Sequence, residues 1–118
     1  MTTGSQILYK VVPRELWQQA EAEGTFTGSP IDVEDGFIHL SSAPQVKETV
    51  AKHFAGQVDL LIVSVRESAL RDLQWEPSRG GALFPHVYGP LPLDCVERVD
   101  PLPLGPDGVH QFPSDLGL

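Results

Sequence analysis

The stretch Gly36-Phe37-Ile38-His39-Leu40-Ser41-Ser42-Ala43-Pro44 changes its repeat midway and decides the fold. Residues 36–40 set polar His39 between apolar Ile38 and Leu40, the alternation of a short strand with one face buried. Ser42 then stands where a side-chain oxygen can take an unpaired first-turn N–H, so a helix is expected to begin near Ala43-Pro44. Val46, Val50, His53 and Phe54 follow at i, i+4, i+7 and i+8, the spacing that buries one helix face, and Gly56 closes the helix. His53 is thereby expected in the core stripe.

Upstream, residues 6–12 are rich in Ile, Tyr and Val and read as a first strand ended by Pro13. Pro13 suits an initial helical position, and Leu16, Trp17 and Ala20 give the ensuing helix an inward stripe until Gly24 stops it. Residues 24–35 lack any sustained period and read as a loop over a pocket, with Asp32, Glu34 and Asp35 hydrated in it. Downstream, residues 59–65 contain Leu60-Leu61-Ile62-Val63 and read as a strand buried on both faces. Residues 67–73 read as one or two helical turns.

Eight of the eleven prolines lie at or beyond Pro77, so the second half must consist of short or edge strands joined by defined turns. Residues 74–76, 83–88 and 95–99 are the expected strands. Phe112 is expected to pin an otherwise aperiodic tail. The pattern gives an α+β fold: one compact domain over residues 1–118, with two helices packed on a split, mostly antiparallel small sheet. Its core spans residues 7–113, with mobile ends at 1–5 and 114–118. The two commonest nucleotide-site motifs, Gly-x-Gly-x-x-Gly and Gly-x-x-x-x-Gly-Lys, are missing.

Composition narrows the function. Sixteen acidic residues against eight scattered basic ones give a net charge of −8, which argues against extended nucleic-acid or anionic-membrane binding. The single cysteine, Cys95, precludes an intramolecular disulfide and reads as a buried structural thiol. With no charged start followed by an apolar stretch, a cytoplasmic protein is expected.

The candidate site gathers around two histidines. His39 precedes Ser41 and Ser42 at a helix start, where N–H groups and hydroxyls can receive a phosphate or carboxylate while the imidazole holds a neighbouring hydroxyl. His86 sits in Phe84-Pro85-His86-Val87-Tyr88-Gly89-Pro90, with Tyr88 on its own face and Val87 inward. Such a pair of rings can stack on and bond a heterocycle or sugar. Glu76 follows Trp75, whose bulk would desolvate the carboxyl and raise its pKa for acid/base work; alternatively it pairs with Arg79 on the surface. Arg79 in its Gly-containing loop offers an anion contact. His110 reads as solvated, and no metal-ligand spacing joins His39, His86 and Glu76.

Leu8-Tyr9-Lys10-Val11-Val12, Gly36-Phe37-Ile38-His39-Leu40-Ser41, Leu73-Gln74-Trp75-Glu76 and Phe84-Pro85-His86-Val87-Tyr88-Gly89-Pro90-Leu91, in that order, closely resemble the small bacterial proteins of the domain of unknown function 952 family, over about residues 7–113. That resemblance implies no established activity. More distantly, the layout is similar to the ADP-ribosyltransferase-like fold, whose RNA 2′-phosphotransferases bind NAD or an ADP-ribosylated intermediate between two small sheets. His39 matches the histidine of their His-x-His-Leu segment. Phe37 stands at its other histidine, and Tyr9-Lys10-Val11 replaces the His or Arg followed by Gly that ends their first strand. NAD is the cofactor this likeness implies.

The expectation is therefore a His-lined cleft that binds or transforms a nucleotide-like (NAD or ADP-ribose related) or sugar-phosphate ligand. His39, Glu76 and His86 would be catalytic, and Ser41, Ser42, Arg79 and Tyr88 would bind ligand. The rival expectation is a non-enzymatic binding module whose histidine motifs are structural.

Overall fold

The apolar run at 60–63 lies in the central strand of the first of three small sheets. In chain order the computed structural model, which describes residues 6–116 and 118, contains β1 (Ile7–Pro13), α1 (Arg14–Glu23), β2 (Thr25–Phe26), α2 (Pro30–Asp35), β3 (Ile38–His39), α3 (Ala43–His53), β4 (Leu60–Arg66), β5 (Leu73–Pro77), β6 (Leu83–Val87), β7 (Leu91–Pro92) and β8 (Val96–Leu102). The sheets are β1-β4-β8, β2-β7 and β3-β6-β5, and every strand pair among the described residues is antiparallel. The α+β class is as the patterning indicates.

β4 is buried on both faces because two apolar clusters sandwich its sheet. The strand period of two sends Leu8 and Val12 of β1, with Leu61, Val63 and Val65 of β4, to one side, where Trp17 and Ala20 of α1 and Ile38, Leu40 and Val87 of the third sheet meet them. Tyr9, Val11, Leu60 and Ile62 point the other way, onto Val46 and Val50 of α3. The same alternation turns Lys10 of β1 toward the first cluster, where it is only 6 % exposed. The third sheet is stitched to β1 by a two-way backbone bridge, Tyr9 N to Ser41 O at 2.8 Å and Ser41 N to Tyr9 O at 2.9 Å.

Several expectations need correction. The stretch 24–35 is not a loop: it holds β2 and a third helix, α2, capped by Ser29 and Asp32 with Pro30 in its first turn. A six-residue helix is too short to show a sequence period, so its signal is the cap alone. α2 ends at Gly36, whose φ of +87° is a left-handed conformation that glycine adopts without penalty and that turns the Phe37 N–H onto the Asp32 carbonyl at 3.2 Å. The sheet is split as expected, into three parts. Pro13 closes β1 opposite Leu60 and does not open α1. Only Glu67–Ala69 of the segment 67–73 is helical, as a 3-10 turn, and Cys95 ends another such turn ahead of β8.

His53, expected in the core, is exposed at the end of α3, where a basic side chain complements the helix dipole. His110, expected in solvent, is 7 % exposed and its Nε2 lies 2.8 Å from the Gln57 carbonyl oxygen. Phe112 packs against the α3 cluster as expected. The chain after it is docked: Asp115 pairs with Arg98 at 3.0 Å, the Tyr9 hydroxyl donates to the Leu116 carbonyl at 3.1 Å, and Leu116 is buried. Residues 1–5, expected to be mobile, lie outside the described residues. No described helix is long and apolar enough to cross a membrane.

Candidate functional site

The β3–β6 register sets His39 directly opposite His86. On β6 the period of two keeps Tyr88 with His86 and sends Val87 to the core, and on β5 it separates outward Glu76 from Trp75. The two imidazole centroids are 5.4 Å apart with their planes at 72°. Phe37 closes the group, stacked on His86 at 4.2 Å and lying 4.7 Å from His39 and 5.2 Å from Tyr88. Rings distant along the chain thus converge on one sheet face.

Each imidazole has its own carboxylate. His86, 4 % exposed, holds Nδ1 2.7 Å from Glu76 Oε1, and the Tyr88 hydroxyl donates to the same oxygen at 2.8 Å. These bonds to His86 and Tyr88 hold the Glu76 carboxyl below the usual carboxylate range, against a smaller opposing effect of desolvation. The expected upward shift is therefore reversed. Trp75 does not desolvate Glu76, because it lies on the other strand face with its indole N–H on Glu67 at 3.2 Å. An ionised Glu76 can only accept, so His86 Nδ1 carries the proton of this hydrogen bond and Nε2 is the ring nitrogen that Glu76 leaves unengaged. The same carboxylate raises the Tyr88 hydroxyl pKa, first by the hydrogen bond it accepts.

His39 is anchored by a residue that the sequence placed in water. Asp32 is 1 % exposed and takes His39 Nδ1 at 2.6 Å, His39 N at 3.1 Å, Ser29 N and Oγ at 2.8 Å each, and the Lys10 ammonium at 2.8–3.0 Å. Burial alone would raise its pKa, but the bonds from His39, Lys10 and Ser29 outweigh it and hold the carboxyl far below its ordinary value. Burial also pushes the Lys10 ammonium down, and Asp32 opposes that. Lys10 donates besides to the His39 carbonyl at 3.1 Å. On its other nitrogen, Nε2, His39 meets Asp35 at 2.9 Å, and that carboxylate is 40 % exposed. Asp32 was legible only as the far half of the Ser29-Pro30-Ile31-Asp32 capping box, and Lys10 only as a charge inside an apolar strand.

The expected anion receptor at α3 is filled. Ser42 caps the third N–H of the helix, Gln45 Oε1 accepts the Ser42 N–H at 3.0 Å, and Gln45 Nε2 donates to the Leu83 carbonyl at 2.7 Å. Ser41 is 5 % exposed and donates to Thr49 Oγ1 at 3.2 Å. Ser42 thus serves the helix start and Ser41 the body of α3, and the structure groups His39, His86, Glu76 and Tyr88 with Phe37, Asp32, Asp35 and Lys10. Arg79 belongs to the turn Arg79–Gly81, and its side chain lies outside the described structure. No cluster of three His, Cys, Asp or Glu suited to a metal ion exists among the described residues.

The hollow beside this group lies not over the imidazoles but behind Phe37. It encloses about 250 Å³ between α2 and the β6–β7 turn, bounded by Val33, Phe37, Val87, Gly89 and Pro90. A larger one of about 410 Å³ lies between α3 and the last segment, beside Val109, His110 and Phe112, and meets none of the candidate residues.

A family model described as protein of unknown function (DUF952) matches residues 11–99. Among solved structures, the chain is similar to protein CC0527 from Caulobacter crescentus. The crystal structure of a double mutant of that protein gives a TM-score of 0.85 at 48 % identity, covering 89 % of this chain and 93 % of that one. A further crystal structure gives 0.84 at 49 % over 89 % and 93 %, and the solution structure 0.80 at 49 % over 89 % and 91 %. No curated protein matches.

Proposed function

The chain belongs to the DUF952 family of proteins of unknown function, and on that premise we propose that it binds a small, uncharged, hydroxyl-bearing ligand of the nucleoside class at the paired imidazoles. His86 is the proton acceptor of this reading and Glu76 the residue that orients it. The observation that carries it is the cross-strand pair itself: two imidazoles 5.4 Å apart, each fixed through Nδ1 by a separate carboxylate. In His86 the carboxylate on Nδ1 leaves Nε2 to take a proton and stabilises the imidazolium that results, whereas Nε2 of His39 is held by Asp35.

The charge around the rings argues against an anionic ligand. Asp32, Asp35 and Glu76 all bond these imidazoles, and the ammonium drawn into the cluster is already held by Asp32 and the His39 carbonyl. The helix start that would receive a phosphate is capped by its own side chains. Of NAD or ADP-ribose, the hydroxylated ribose suits this face and the diphosphate does not. A ligand hydroxyl reaches His39 by displacing the half-exposed Asp35 from Nε2 and bonding the ring there.

Adenosine, ADP-ribose and NAD are titrated into isotope-labelled protein while imidazole and amide signals are followed. The expected result is a shift of the His39 and His86 ring signals with adenosine, at an affinity that the added diphosphate does not improve. Silence of both rings at millimolar adenosine overturns the reading in favour of histidines that only hold the fold.

A further inference from the structure

We infer that the 250 Å³ hollow behind Phe37 is a subsite for an uncharged planar ring, and that the ligand is bipartite, with its ring in this hollow and its hydroxyls on the imidazoles. The inference rests on the reading above and extends it to a surface that reading does not use.

Three observations support it. The hollow is walled by Val33, Phe37, Val87 and Pro90, with the Gly36 and Gly89 backbone between them, a lining that favours a flat apolar body with polar edges. Its volume is below the several hundred cubic ångströms usual for a drug-sized ligand, so it suits one ring or two fused rings. Its one charged lining residue is Asp32, whose oxygens already accept from Lys10, His39 and Ser29. A cation gains little there, and an anion would face a carboxylate.

The hollow and the imidazoles share two walls. Phe37 lines the first and stacks on His86 at 4.2 Å, while Asp32 lines the first and bonds His39 Nδ1 at 2.6 Å. A ring and its sugar, joined by one bond, span such a boundary. Joining two weak contacts in one molecule raises affinity without any new contact, so adenosine should outbind both purine and ribose.

Purine, ribose and adenosine are the probes. Purine should give intermolecular nuclear Overhauser effects to the Val33 and Val87 methyls, and ribose should shift only the His39 and His86 rings. Val33→Trp fills the mouth from a side chain that is 69 % exposed, so the fold tolerates it. It should weaken purine and adenosine binding by about tenfold or more while the response to ribose is kept. Purine without methyl contacts in the wild-type protein overturns the subsite, as does Val33→Trp binding purine undiminished. If adenosine still shifts the imidazoles in that case, the subsite fails alone. If purine is seated while ribose and adenosine leave both imidazoles silent, the subsite stands and the imidazole reading fails.

Discussion

His39 and His86 stand opposite one another across the β3–β6 pair, and the carboxylates that fix them come from opposite directions in the chain. Asp32 reaches His39 from the helix just before β3, whereas Glu76 reaches His86 from the neighbouring strand β5. Removing either carboxylate should therefore disturb one ring and spare the other.

Lys10→Met tests the buried side of this arrangement. It deletes a cation whose side chain is 7 % exposed from an aspartate that is 1 % exposed. Breaking a buried pair leaves an uncompensated charge, at a cost of about 3–5 kcal/mol. The loss should fall near the lower figure, because His39 and Ser29 still bond Asp32. The urea midpoint measures it, and an unchanged midpoint would refute the buried pair.

Acid titration tests the same carboxylate. The folded pKa of Asp32 lies below the unfolded value of about 3.9, so the unfolded chain binds more protons through that window. Its stabilising contribution is complete above about pH 5 and is lost as pH falls through the folded pKa. The difference in melting temperature between wild type and Asp32→Asn should shrink on acidification from neutrality. A difference that holds constant to low pH would contradict the shift.

Glu76→Gln should be read through Tyr88. Glu76 raises the phenol by accepting its proton in a hydrogen bond, and the amide keeps the contact but removes the charge. Of the two tyrosine steps seen in phenolate absorbance, that of Tyr88 should move to lower pH. That of Tyr9, raised by burial, should stay. Movement of neither would place Glu76 away from Tyr88 in solution.

Ser42→Ala separates capping from binding. Losing the α3 cap should cost about 0.5–2 kcal/mol in chemical denaturation. Adenosine affinity should be unchanged. A selective loss of affinity at full stability would return Ser42 to the ligand site.

The long elements were legible because each carries its own local pattern. β4 opens with an unbroken apolar run and α3 buries Val46 and Val50 four residues apart, while the alternation of strand faces was enough to place His86 with Tyr88 and to set His39 on the polar side of β3. The short elements were not. α2 offers six residues and one cap, too few for a period to register, and its Asp32 therefore looked like one more acid in a hydrated stretch. Glu76 was misread for a related reason: its neighbour in sequence, Trp75, is on the other face of the strand, and its neighbours in space are His86 and Tyr88.

Local hydrophobic pattern and turn chemistry, which act over a few residues, were enough for the α+β class, for the strand or helix carrying the histidine motifs, and for the burial of Cys95 and of β4. Long-range packing alone joins Lys10 and Asp32 in a buried pair with His39 at its edge, fills the hydrogen bonds of Ser41 and Ser42, and sets His39 opposite His86. Those outcomes depend on strand register and on where a short helix docks, and both are set by packing between residues that the chain keeps far apart.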